Sequence, residues 1–147
     1  HPTIYSIDPR QWNRTGQLMK KPIGSIKIPG DVDVWPHEYR TAVALSRAGF
    51  NVTFIKKSDE DREKTPDLLI DGQLWEMKAP KASNARAIDR NLRRALRQSR
   101  RIIIDSRRMK DLPDATVERE LRKHARDMRS IERLVFVNHR GEVIDIK

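Results

Sequence analysis

No cysteine occurs among the 147 residues. That excludes a disulfide-stapled scaffold, a thiol nucleophile and any cysteine-based zinc site. The absence fits a reducing cytosol, and it equally fits a protein that crosses compartments and must avoid oxidation. No apolar run approaches the roughly 20 residues that cross a bilayer, and the first residues carry no signal-peptide-like apolar segment, so no membrane span is expected. A Gly-rich phosphate loop and a Ser/His/Asp signature are both missing. His37, His124 and His139 lack metal-ligand spacing and read as surface or packing histidines.

Charge of one sign is plentiful. The chain has 31 Lys and Arg against 21 Asp and Glu, a formal charge of +10. Residues 1–78 hold 12 basic and 11 acidic residues, whereas residues 79–147 hold 19 and 10. Such an uneven distribution is the footprint of a polyanion binder, whose affinity comes largely from displaced phosphate counterions. A solubilising basic face is the alternative that charge alone leaves open. The length suits one domain with a core of its own.

Residues 1–31, with Pro2, Pro9, Pro22 and Pro29, read as an irregular arm or linker holding at most one short strand, and residues 32–147 as a single domain. The polar stretch 56–64 reads as an exposed loop. Pro36 opens a helix over about 36–48, with Tyr39, Val43, Ala44 and Leu45 on its apolar side and Gly49 as its stop. Strands are expected at 50–55, 67–70 and 73–79, the last two joined by the hairpin dipeptide Asp71-Gly72. A helix at about 84–101 buries Ala85, Ile88, Leu92, Ala95, Leu96 and Ser99; then come a strand at 102–104, a helix at 116–129, and strands at 134–137 and 143–146 around Arg140-Gly141. The order α-β-β-β-α-β followed by α-β-β predicts an α/β or α+β fold, a mixed sheet flanked by helices.

The stretch from Pro66 to Lys78 carries the chemistry. A turn at Asp71-Gly72 that pairs Ile70 with Gln73 also pairs Asp67 with Glu76, placing two carboxylates across neighbouring strands. Like charges there repel unless compensated, and a divalent cation held by hard oxygen ligands compensates them: Mg²⁺ or Mn²⁺ by preference, with Zn²⁺ allowed. Lys78, two residues from Glu76, shares its face and could serve the attacking water or a phosphate transition state. Glu38 on the preceding helix could complete the metal shell. The competing reading makes Glu76 and Lys78 an exposed cross-strand ion pair.

Pro66-Asp67, eight residues, then Glu76-x-Lys78 resembles the PD-(D/E)xK nuclease superfamily. The resemblance covers about residues 36–105 and implies an α-β-β-β-α-β core, metal held by Asp67 and Glu76, a catalytic Lys78 and an assisting acid at Glu38. More narrowly, Thr65 to Lys78 and Asn91 to Ser99, leading to Ile102-Ile103-Ile104-Asp105, resemble the C-terminal tRNA-nuclease toxin domains of contact-dependent growth inhibition and related polymorphic toxins. That resemblance implies a tRNA substrate, delivery as part of a larger effector to act in the target-cell cytoplasm, and a cognate immunity protein. A +10 domain is best met by an acidic partner surface.

Residues 84–101 hold seven Arg and one acid, Asp89. At helical spacing Arg86, Arg90, Arg93, Arg97 and Arg101 form a basic stripe suited to phosphate. Asn91, Arg94 and Gln98 share a second face from which they could contact substrate, and Lys81 could extend the phosphate surface beyond Lys78. Ser83 reads as a helix cap. Trp35 and Trp75 could stack on bases, though Trp75 sits in a strand that reads as core. The reading that results is a metal-dependent ribonuclease domain favouring tRNA. A DNA endonuclease or resolvase of the same fold, or a non-catalytic nucleic-acid-binding module, are the alternatives.

Overall fold

The computed structural model describes residues 23–56 and 67–147. The readings of residues 1–22 as an irregular arm, of 57–64 as a loop and of Pro66 lie outside them. The elements follow as β1 (Ile26–Lys27), α1 (Pro36–Arg47), β2 (Val52–Ile55), β3 (Asp67–Ile70), β4 (Gln73–Lys78), α2 (Ala85–Leu96), β5 (Arg101–Asp105), α3 (Asp114–Asp127), β6 (Arg133–Val137) and β7 (Val143–Asp145). β1 lies inside the stretch read as an arm and pairs with β2.

Helix α1 starts on Pro36, whose ring presets the helical φ at a position with no hydrogen bond to lose. It stops where Gly49 adopts φ +99°. There the Phe50 amide donates to the Leu45 carbonyl and the Gly49 amide to the Ser46 carbonyl, closing the helix end with a left-handed residue. Asp71 and Gly72 both have positive φ, at 52° and 74°, as a two-residue hairpin turn of matching twist requires.

The seven strands form one mixed sheet in which spatial order equals chain order. β4, β5 and β6 run parallel at its centre, while β3 and β7 join antiparallel to β4 and β6. The two parallel crossovers bring α2 and α3 to one face, where Ile88, Leu92, Val117 and Leu121 pack with Ile102, Ile104, Leu134 and Phe136. Helix α1 covers the other face, packing Ala42, Ala44 and Leu45 over Val52, Phe54, Trp75, Met77 and Ile103. β5 is thus buried on both sides, the reason its run of three isoleucines does not alternate with polar residues.

Three details depart from expectation. On α1, Tyr39 is exposed and Val43 half-buried, because Ala42 rather than Tyr39 faces the sheet. α2 ends at Leu96 instead of running to 101. The chain turns there to enter β5, and Ser99 fixes the turn by donating its hydroxyl to the Leu74 carbonyl at 2.8 Å and accepting from the Arg101 amide at 3.0 Å. Ala85 is exposed at the first position of α2, and the buried side begins at Ala87 and Ile88.

Candidate active site

The β3–β4 register pairs Asp67 with Glu76. In the parallel register on the other side, Glu76 neighbours Ile102 and Lys78 neighbours Ile104. Glu76 and Lys78 therefore share the α2 face, while Trp75 and Met77 belong to the opposite core. Glu76 is fully buried and Lys78 only 6% exposed. That burial overturns the reading of an exposed cross-strand ion pair. The Lys78 Nζ lies 3.9 Å from Glu76 Oε2, so the two charges enter the interior together, as buried charges must.

Glu38, also buried, occupies the third position of α1 and accepts the Trp35 amide proton at Oε1, 2.8 Å away, closing the first turn. One turn further, Thr41 donates its hydroxyl to Asp105 Oδ2 at 2.5 Å. Asp105 ends β5, only 3% exposed, and is also gripped by Arg107, whose Nη2 donates to Oδ2 at 2.7 Å and whose backbone amide donates to Oδ1 at 3.0 Å. The N-terminal half of α1 is thereby pinned to the C-terminal end of β5. The Arg108 guanidinium donates to the carbonyl of Ala79, the residue after Lys78. His37 stands in the same corner, and its imidazole is held below the ordinary histidine pKa by desolvation first, then by Arg108, Arg40 and Lys81, with Asp105 opposing.

Among the described side chains no three carboxylates or histidines close into a metal-binding cluster. The donor chemistry that fits a hard cation is the Glu76 carboxylate with an aspartate at the register position opposite.

The arginines of α2 divide. Arg86, Arg90, Arg93, Arg94 and Arg97 are exposed, and Arg93 pairs with Asp89 at 3.1 Å. Arg101 is not on the helix: it opens β5 and donates to the Leu74 carbonyl and to Glu132. The expected stripe therefore loses its last member. The Asn91 amide folds back onto its own helix, donating to the Ala87 carbonyl at 2.7 Å. Gln98 sits half-buried in the turn after α2, no longer in helical register with Asn91 and Arg94. Asn84, not Ser83, caps α2 by accepting from the Ala87 amide, and Ser83 instead accepts from the Asp111 amide. Lys81 is exposed in the loop beyond β4.

Sequence reading missed the corner built by Thr41, Asp105 and Arg107. Its one local signal was an acid closing a run of three isoleucines, a place where an unpaired carboxylate is costly and so must have partners.

The sequence matches the family model described as the contact-dependent growth inhibition CdiA C-terminal domain over residues 64–143. Among solved structures, a CdiA-CT/CdiI toxin and immunity complex from Burkholderia pseudomallei is similar in fold. Its TM-score is 0.61 at 18% identity, and the match covers 84% of this chain and 99% of that one. No curated protein matches.

Proposed function

Because this chain belongs to the CdiA C-terminal domain family, and is thus a toxin domain delivered to target bacteria, we propose that its toxicity is metal-dependent RNA cleavage, with tRNA the favoured substrate, by a site of PD-(D/E)xK type. The observation that supports this most is the burial of Glu76 and Lys78 together on one face of β4 with Asp67 in register opposite Glu76. A domain that only bound nucleic acid would gain nothing from burying an acid beside the lysine meant for a phosphate.

Asp67 and Glu76 would hold the cation, Mg²⁺ or Mn²⁺ by oxygen preference. When bound, such an ion lowers the pKa of its water and neutralises charge on a phosphodiester. Glu76 orients Lys78 through their 3.9 Å contact. Lys78 presents an ammonium, desolvated and therefore electrostatically strong, to the phosphate oxygens or the attacking water. Glu38 braces the first turn of α1, on the face of the sheet opposite Glu76 and Lys78. The exposed arginines of α2, with Lys81, supply long-range attraction for RNA. A cognate immunity protein with an acidic surface is the expected partner, and the target-cell cytoplasm the expected place of action.

The test is direct. The purified chain incubated with total tRNA should cleave it in Mg²⁺ and not in EDTA, and Lys78→Ala should be inert at a temperature where circular dichroism shows it folded, with a lowered melting temperature because the buried Glu76 carboxylate loses its partner. Intact tRNA with wild-type protein across Mg²⁺, Mn²⁺ and Zn²⁺ would reject the reading, and cleavage confined to plasmid would turn it to DNA.

A further inference from the structure

A cleft of about 300 Å³ runs between the outer side of α1 and the β6–β7 turn, lined by Tyr39, Arg40, Val43, Arg47, Arg107 and Arg140. A recess of about 10 Å³ adjoins it, sharing Arg40 and Arg107 and closed by His37, Ala79 and Arg108. Together they make one trough, which ends at the residue following Lys78. None of the roles proposed above uses it.

The walls are built rather than incidental. On one side the Asp105 carboxylate locks Arg107 in place. On the other, the buried Asn138 shapes the β6–β7 turn by accepting from the amides of Arg140 and Glu142 at Oδ1. The turn comes close to Arg107: a Cβ on Gly141 would stand 3.6 Å from its Nη1. Of the five guanidiniums, Arg107 answers Asp105, Arg108 donates to the Ala79 carbonyl, and Arg140 lies 3.0 Å from Glu142 at the surface. Arg40 and Arg47 have no ion-pair partner among the described residues. The trough thus carries surplus positive charge, which adds to the desolvation that chiefly depresses His37. Tyr39, 45% exposed, offers its ring at the rim, and Trp35, 63% exposed, precedes it at the start of α1.

We propose that this trough seats a phosphodiester strand with an unstacked base on Tyr39, and that it leads the strand past Arg40 to the C-terminal end of β4 at Ala79. The inference rests on the nuclease reading. Its shape argues for a strand over a protein: protein partners need a broad contact of several hundred Å² per side, whereas a concave space at the small end of ligand-sized cavities suits a single nucleotide. The recess beyond holds about one water-sized group, enough for a phosphoryl oxygen and too little for a base. Planar guanidiniums on two walls match phosphate, and an exposed tyrosine gives sequence-tolerant stacking.

The test reads binding without turnover, in the full wild-type chain in EDTA, which withholds the cation that cleavage would need. Fluorescent single-stranded RNA and DNA of one sequence are titrated across a salt series, and the co-encoded immunity protein is titrated in parallel. Arg40→Gln with Arg47→Gln should weaken binding to the strand by about tenfold and reduce the salt slope by about 1.4, two contacts' worth for a single strand. Tyr39→Leu should weaken it by roughly fivefold or more at unchanged slope, since stacking releases no counterions. All three side chains are exposed, and unchanged melting temperatures would verify the fold. Loss on RNA alone, or on RNA and DNA alike, supports the trough and says which strand it takes. Parent-level binding and slope in the double variant would overturn the proposal, as would absence of strand binding by the parent, or loss confined to the immunity protein. None of these readings depends on cleavage, so a wild-type protein that binds strands through the trough but leaves tRNA whole would fail the nuclease reading alone.

Discussion

Two basic surfaces lie on opposite sides of the sheet, and they are made differently. The α2 arginines project from a convex helix whose inner side is apolar, and they come from consecutive turns of one element. The α1 trough is concave, and its arginines come from α1, the loop after β5 and the β6–β7 turn. A convex ridge of mobile side chains attracts any polyanion and orders none of it. A concave trough with a locked guanidinium at its centre imposes a path. The comparison teaches that net charge along the chain locates attraction, whereas only convergence in space locates a seat.

The largest expected effect separates chemistry from both surfaces. Lys78→Ala should reduce tRNA turnover by about a thousandfold, the scale of losing one transition-state donor, while affinity in EDTA stays within twofold or so of wild type. Gel assays under matched Mg²⁺ would read it, and retained turnover would remove Lys78 from the site. Next comes the brace under the trough. Thr41→Val strands the buried Asp105 carboxylate without its hydroxyl donor and should destabilise the fold by about 1–3 kcal/mol in urea unfolding. It should also weaken strand binding, whereas a change on the α2 ridge should leave stability alone. Arg90→Gln, Arg93→Gln and Arg97→Gln together should lower the salt slope for RNA by about 2 and slow association, with little change in turnover once substrate saturates. If this triple variant lost turnover at saturation and the Arg40/Arg47 double variant did not, the assignments of ridge and trough would have to be exchanged.

The smallest effect is in pH. His37 has its folded pKa below the ordinary value of about 6.5, so the unfolded chain takes up its proton first as the solution is acidified. Its contribution to stability is therefore fully present above about pH 6.5 and is lost as pH falls through the lowered folded value. A His37→Asn variant should show a shallower loss of stability between pH 7 and pH 5. An NMR titration of the His37 ring should give a pKa below 6.5, moving upward when a strand fills the trough. A pKa at or above 6.5 without ligand would mean that the corner is better hydrated, or less positive, than its packing and arginines imply.

Much of the hairpin was legible because everything that shapes it is close in the chain. Asp71-Gly72 sets the turn, the turn sets the register, and the register puts Asp67 against Glu76. Helix α1 was legible in extent from Pro36 and Gly49 but not in facing, since Ala42 outcompetes Tyr39 for the sheet by size, which only the packed neighbours reveal. The end of α2 was hidden because Arg97 to Arg101 continue its composition, and what stops the helix is a hydroxyl bonding to Leu74, 25 residues away. The trough had no local trace at all: Arg40, Arg107 and Arg140 share no pattern, and meet only because α1 crosses the ends of β5 and β6.

The sheet's order has a kinetic consequence. Every strand pairs with the one before it in the chain, so spatial neighbours are sequence neighbours from β1 to β7. No strand has to be inserted between two that are already joined, and each closure spans a short loop or a single helix. The antiparallel hairpin closes at little cost in chain entropy, while the parallel pairs, 26 to 32 residues apart, set the slower steps. A domain delivered from one cell to another can therefore rebuild itself strand by strand from an extended chain, always extending an open edge, and with no cysteines to shuffle along the way.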